Sequence, residues 1–200
     1  YILKDGVPNN GNAREKIQPG DIKFKDINRD GVVNDYDLTI IGNPNPKHIG
    51  GFGNNFQYKN FDLNVFFQWS YGGDVLNANR IEFEGGASFA NRWTPENQTN
   101  ELYRIGGQGP AVYSSRTIED GSFLRLKTVS LGYRLPNAWL KKINIKSLRV
   151  YASAQNLITW TRYSGPDPEV STRPTALTPS FDWSPYPRPR TLTLGVDISF

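Results

Sequence analysis

The segment DINRDGVVNDYD, residues 26–37, has the residue types and spacing of a divalent-cation loop. Asp26, Asn28 and Asp30 stand at alternate positions, Gly31 follows, and Asn34 and Asp37 close the run. Oxygen side chains at this spacing, with the Val32 carbonyl between them, can wrap one hard cation such as calcium, and the glycine permits the sharp turn. The expected metal ligands are therefore Asp26, Asn28, Asp30, Val32, Asn34 and Asp37. Two features depart from the helix–loop–helix form of such sites. The last ligand is Asp, shorter than the usual bidentate Glu, and the flanks QPGDIKFK and LTIIGNPNP are broken by Gly and Pro. The same residues also suit a metal-free turn rich in Asx side chains.

Other chemistry is thin. His48 is the only histidine and there is no cysteine, so a zinc site, a thiol nucleophile or a histidine triad has no partners to draw on. Glu82 and Glu84 could form a glycosidase-type carboxylate pair, but they read as a solvated pair on an acidic loop segment. GGQG, residues 106–109, lacks the Lys-Ser/Thr of a phosphate loop. Trp93, Tyr103, Tyr113, Trp160, Tyr163 and Trp183 fall in expected loops, where aromatic faces either stack on a ligand or pack the loops together. No catalytic set converges, and the chain is read as a non-enzyme.

Composition narrows the class. Net charge is +4, from 23 basic and 19 acidic residues spread along the chain, with no clustered footprint for nucleic acid. No run of apolar residues is long enough for a transmembrane helix. Barrel strands escape that test, because about ten residues of alternating character suffice. The chain has no Met and no leader-like start, and it reads as a piece of a longer protein. Aromatics make up 13% of residues and Gly plus Pro number 33, from 19 and 14, which points to an all-β chain with long loops.

Five segments have strand periodicity. RTLTLGVDISF puts Leu192, Leu194, Val196, Ile198 and Phe200 on one face and Thr191, Thr193, Gly195, Asp197 and Ser199 on the other. FDLNVFFQWSY repeats this, with Phe61, Leu63, Val65, Phe67, Trp69 and Tyr71 opposite Asp62, Asn64, Gln68 and Ser70, and Phe66 the exception. Before it, GGFGNNFQY alternates more weakly, and Lys59-Asn60 forms a two-residue hairpin connection. In SFLRLKTVSLGYRL the apolar phase slips between Leu126 and Val129, which a bulge near Lys127-Thr128, or a change of environment there, would explain. KSLRVYASAQNLITW is the fifth, and PNAWLKKINI is a short helical connection. The segments 72–120 and 158–188 read as long, structureless loops. Short turns at one end and long loops at the other suit a membrane barrel. So do aromatics at the strand ends: Tyr58, Trp69, Tyr71, Tyr133, Trp139, Trp160 and Phe200.

Six strings in order, PGDIKFKDINRDGVVNDYDLTIIGNPNP, FDLNVFFQWSYGGDVLN, NRWTPENQTN, DGSFLRLKTVSLGYRLP, SLRVYASAQNLITWTRYSGPDPEV and YPRPRTLTLGVDISF, span nearly the whole chain. In them the sequence resembles the C-terminal end of a SusC/RagA-type TonB-dependent outer-membrane protein of Bacteroidetes. The resemblance implies a transmembrane β-barrel of about 22 strands with a plugged lumen, of which this chain supplies the last antiparallel strands. It places residues 1–47 as an extracellular loop carrying the calcium-type segment 26–37, residues 48–200 as barrel strands and loops, and the plug domain outside the chain. The terminal Phe200 would lie at the periplasmic end. Turns 59–60 and 136–145 would then be periplasmic, and loops 1–47, 72–120 and 158–188 extracellular.

The implied function is nutrient import across the outer membrane. The implied partners are a SusD-like lipoprotein, TonB through absent parts, an oligosaccharide or peptide substrate, and outer-membrane lipid. Asp62, Asn64, Gln68, Thr191, Thr193 and Asp197 would line the lumen. Calcium would be structural, stiffening a loop. The competing reading is a soluble, calcium-stabilised β-sandwich that binds carbohydrate at the cell surface. It requires a second sheet to cover the apolar faces.

Overall fold

The structure, a computed structural model, describes residues 18–84, 91–107, 113–141, 144–173, 175 and 177–200. Parts of the expected loops (1–17, 85–90, 108–112, 174 and 176) and residues 142–143 of the helical connection lie outside the described residues, as does half of GGQG. Along the chain run β1 (His48–Tyr58), β2 (Phe61–Tyr71), β3 (Asp74–Asn77), α1 (Asn79–Phe83), β4 (Ile118–Asp120), β5 (Phe123–Arg134), α2 (Asn137–Leu140), β6 (Ser147–Thr161), β7 (Phe181–Asp182) and β8 (Thr191–Ser199). The five long strands form one antiparallel sheet, ordered β1-β2-β5-β6-β8, and the three short ones form a second, β4-β3-β7. The segments 72–120 and 158–188, expected to be structureless, thus hold β3, α1, β4, β7 and the end of β6. No helix among the described residues is long and apolar enough to cross a membrane.

The chain divides into two compact units. One comprises residues 43–75, 119–181 and 185–200 and carries the large sheet. Its strand pairing follows from the alternation in sequence. Tyr58 pairs with Phe61 across the two-residue turn, where Lys59 takes the left-handed conformation (φ 53°). Rows of residues, apolar apart from Asn54 at the edge, then cross the sheet. Phe56, Leu63, Leu131, Ala152 and Leu194 form one row, and Asn54, Val65, Val129, Ala154 and Leu192 the next. The expected bulge is present: the β2–β5 register shifts between Phe66 and Phe67, and the β5–β6 register between Leu126 and Thr128. The extra residue lets Leu124 and Leu126 share a face with Val129 and Leu131.

Phe66, the exception to alternation, keeps its place on the polar face. A Cβ on Gly51 would lie 2.9 Å from the Phe66 ring and one on Gly53 3.4 Å from it, so the ring covers two glycines of β1. An aromatic laid across strand glycines replaces the packing that they lack.

Among the described residues, the apolar face of this sheet is uncovered. Leu192 is 77% exposed and Leu194 86% exposed, with Phe52, Phe56, Phe61 and Leu131 all half-exposed. The buried apolar residues are Val33, Val75, Ala78, Trp93, Tyr103, Phe123, Leu140, Tyr163, Val170 and Phe181, and of these only Phe123, at a strand end, belongs to the large sheet. The cores are in the loops. A water-soluble sandwich buries its broad apolar face under a second sheet; here that face is bare among the described residues.

The second unit comprises residues up to 42, 76–118 and 182–184. Its centre is Tyr103, 1% exposed, with the guanidinium carbons of Arg92 and Arg116 at 5.5 and 5.2 Å from the ring centre. Trp93 packs on Gly20. That glycine has φ +86°, and any Cβ there would lie 2.3 Å from the indole, so only glycine fits.

Candidate functional site

The polar face of the large sheet carries charged groups at several levels. Near the β1–β2 turn, Arg149 in β6 donates from Nε and Nη2 to Asp62 in β2 (2.9 and 2.6 Å), and from Nη1 to Asp197 in β8 (3.1 Å). The guanidinium reaches Asp62 by crossing Gly132 of the intervening β5. A Cβ at Gly132 would sit 2.5 Å from Arg149 Nη2 and 2.6 Å from Asp62 Oδ1. Gly132→Ala therefore displaces the guanidinium and breaks the fork. The pair is partly solvated, so the cost is about 1 kcal/mol, and combining it with Asp62→Asn should add nothing, as a double-mutant cycle on unfolding would show. At mid-sheet, Lys127 in the bulge donates to the Gln68 carbonyl, and Asn64 donates to Asn55. Higher up, Arg125 is 2% exposed and bonded to Asp167 and Glu169. Asp62, Asn64, Gln68, Thr191, Thr193 and Asp197 all fall on this face, as expected.

The 26–37 loop folds around its own side chains. Asp26 Oδ1 and Oδ2 accept the amides of Arg29 and Gly31 (2.6 and 2.9 Å), Asn28 Oδ1 accepts Asp30 N (3.0 Å), and Asp30 Oδ1 accepts Val32 N (2.8 Å). Gly31 takes φ 88°, the left-handed turn read from the motif. Asp37 draws the two ends together. Its Oδ1 accepts Ile27 N at 2.7 Å and its Oδ2 accepts Asn34 N at 2.8 Å, while Asn34 Oδ1 caps Tyr36 N. Among the described residues no three carboxylate or imidazole groups converge at metal-holding distance. The donor set still suits a hard cation: Asp37 Oδ1 is taken up by the Ile27 and Asn28 amides, but Asp37 Oδ2 and both Asp26 oxygens each accept one backbone amide and keep a lone pair for a metal.

The Asn34 amide, with those of Ile27 and Asn28, holds the Asp37 carboxyl below its ordinary range, against an opposing desolvation effect. A depressed pKa gives stability that is present above the unfolded value of 3.8 and lost as pH falls through the lower folded value. Amide exchange at Ile27 and Asn34, corrected for intrinsic pH dependence, should stay protected down to about pH 4 and lose protection below it.

The remaining candidates sort clearly. His48 opens β1, accepts Trp69 Nε1–H at 3.2 Å and stacks on Tyr71 at 5.1 Å, a strand-end residue as expected. The expectation of a solvated Glu82–Glu84 pair fails for Glu84. It is ion-paired to Arg80 (2.6 Å) and Arg116 (2.5 Å), because α1 and the turn at 115–117 bring both cations to it, while Glu82 is exposed. Trp93, Tyr103 and Tyr163 are buried and pack loops; Tyr113 and Trp183 are about half-exposed; Trp160 lies within β6, on the apolar face beside Leu124. Sequence reasoning missed Arg125, Arg149, Asp167 and Glu169. An Arg in place on each polar face was the available signal.

Strands of 11, 11, 12, 15 and 9 residues, an uncovered apolar face and a charged opposite face define a segment of membrane β-barrel wall. No family model matches the chain. TonB-dependent receptor P3 of Formosa agariphila is 39% identical over 192 residues, which is 91% of this chain and 19% of that protein. TonB-dependent receptor SusC of Bacteroides thetaiotaomicron is 31% identical over 206 residues, covering 100% of this chain and 19% of that protein. The solved structure of the RagAB peptide importer in its closed-closed state matches 80% of this chain and 18% of that one, at 31% identity and a TM-score of 0.67. The chain belongs to the SusC/RagA family of TonB-dependent receptors. It spans about one-fifth of the length of the curated relatives it matches.

Proposed function

We propose that this chain forms the final wall segment of an outer-membrane importer that takes up oligosaccharides or peptides, powered through TonB and working with a SusD-like lipoprotein. No bond is made or broken. The observation that carries this reading is the bare apolar face of the large sheet set against its charged opposite face. Lipid covers the first and the water-filled lumen receives the second. The identity of the relatives supports import, and the RagAB match supports a two-component assembly. Residues 26–37 bind calcium through Asp26, Asn28, Asp30, the Val32 carbonyl, Asn34 and Asp37, stiffening an extracellular loop where weak affinity suffices.

The test uses the full-length protein in cells, with a tryptic casein digest and a pool of neutral oligosaccharides as separate probes. Uptake of one probe should fall to background when the proton-motive force is dissipated, and also when the lipoprotein is removed. Uptake of neither probe, or uptake indifferent to both treatments, would contradict the proposal. For the metal, calcium should slow amide exchange across 26–37, and Asp26→Ala should abolish that effect.

A further inference from the structure

The connection from β6 to β8 is long, yet part of it is tied to the sheet by a group of four charges, of which Arg125 and Asp167 are buried and Arg188 is exposed. Arg125 in β5 points to the polar face between Phe123 and Lys127. Its Nη2 lies 2.5 Å from Asp167 Oδ1 and its Nη1 3.0 Å from Glu169 Oε2, while its Nε donates to Thr159 Oγ1 of the neighbouring β6 at 3.0 Å. Arg188, at the far end of the connection, closes the group, with Nη1 2.8 Å from Glu169 Oε2 and Nε 3.4 Å from Asp167 Oδ2. Two guanidinium groups and two carboxylates leave no net charge. Arg125 is 2% exposed and Asp167 7%.

The segment between these bonds is itself compact. Tyr163 and Val170 pack with Val75 in a small buried core. The Tyr163 ring lies over Gly165, where a Cβ would come within 2.4 Å of it. Ser164 donates from its amide and its hydroxyl to the two Glu119 oxygens, at 2.9 and 2.8 Å. Glu169 N donates to Asp167 Oδ1 at 2.9 Å, so the carboxylate that meets Arg125 also fixes the local turn.

We propose that Arg125 is a positioning residue that clamps residues 163–170 onto the polar face of β5, making this stretch a fixed shelf of the lumen wall rather than a moving gate. Three features support this. The guanidinium fork spends its donors on three different partners, which a Lys ammonium on a flexible stem cannot do in one geometry. The buried Arg125–Asp167 pair at the centre of the group is intolerant of losing either member, because the other is left as an uncompensated buried charge. The adjoining apolar core gives the segment a second, independent anchor. Any opening or closing of the solute path then occurs at other loops.

The test is amide exchange by mass spectrometry on the full-length protein in lipid nanodiscs. Arg125→Met should speed exchange of peptides covering 163–170, and of the Glu169 amide in particular, roughly 100-fold. Amides of the β6–β8 ladder should keep their protection. Arg125→Lys should give roughly 10-fold, keeping the charge but not the fork. Where Arg125→Met fails to assemble, Asp167→Asn, which preserves volume, carries the test and should speed the same peptides at least about 10-fold. Exchange of 163–170 within about threefold of wild type in the assembled variants would overturn the clamp, as would a wild-type segment that exchanges as fast as an unprotected loop. The readout involves no transport, so the clamp and the import reading fail separately.

Discussion

Val129→Arg should cost about 2–4 kcal/mol of stability in the assembled membrane protein, while Ser130→Arg, one residue on, should cost well under half of that. The two positions are neighbours on β5 with opposite surroundings. Val129 sits in the row of Val65, Ala154 and Leu192, four residues along β2 from both Trp69 and Phe61, near the middle of the apolar band. A guanidinium there must reach an interface through hydrocarbon. Ser130 pairs with Asn64 and Ser153 on the polar face, where an added Arg stays in water. Urea unfolding from lipid vesicles reads both. Equal, small costs would mean that the Val129 face is in water.

Tyr103→Ala should cost about 3–5 kcal/mol within its unit, the range for a buried aromatic truncated to alanine. The ring is 1% exposed and two guanidinium groups lie against it, at 5.5 and 5.2 Å. Arg92, 4% exposed, also donates to the Tyr103 carbonyl at 2.8 Å, so loss of the ring opens a cavity beside a buried cation. The effect should be local. The amides Trp93 N, bonded to Leu102 O at 3.0 Å, and Arg104 N, bonded to Gly20 O at 2.9 Å, should lose exchange protection, while the amides of the large sheet, which contains none of these residues, keep theirs. Uniform loss over both units, or none, would count against this account of the loop core.

The sheet was legible because its physics is periodic. A strand with one apolar face must alternate, and the slip between Leu126 and Val129 pointed to an inserted residue or a change of environment there, so the place of the bulge could be read. Phe66 was legible as an anomaly and not as a solution, because the glycines it covers lie across a pairing register. The loop cores were not legible. Trp93, Tyr103 and Tyr163 look like exposed recognition aromatics in segments without a period, and nothing local to Glu84 announces Arg116, 32 residues away. Arg125 was hidden for the same reason, since its partners are 42 and 44 residues downstream. The calcium-type loop was legible in spacing and turn. The same carboxylates serve the loop's own amides, so spacing alone does not choose between a metal and an Asx turn.

The central claim is that the two faces of this sheet meet lipid and water. The chain contains no cysteine, which makes β8 open to single-cysteine spin labelling at each position from Thr191 to Ser199 in the full-length protein, reconstituted in lipid with any other cysteines removed. Oxygen should reach labels at 192, 194, 196 and 198, and a water-soluble nickel chelate those at 191, 193, 195 and 197, with a strict period of two. Accessibility without that alternation, or nickel reaching both sets equally, would contradict the barrel-wall account.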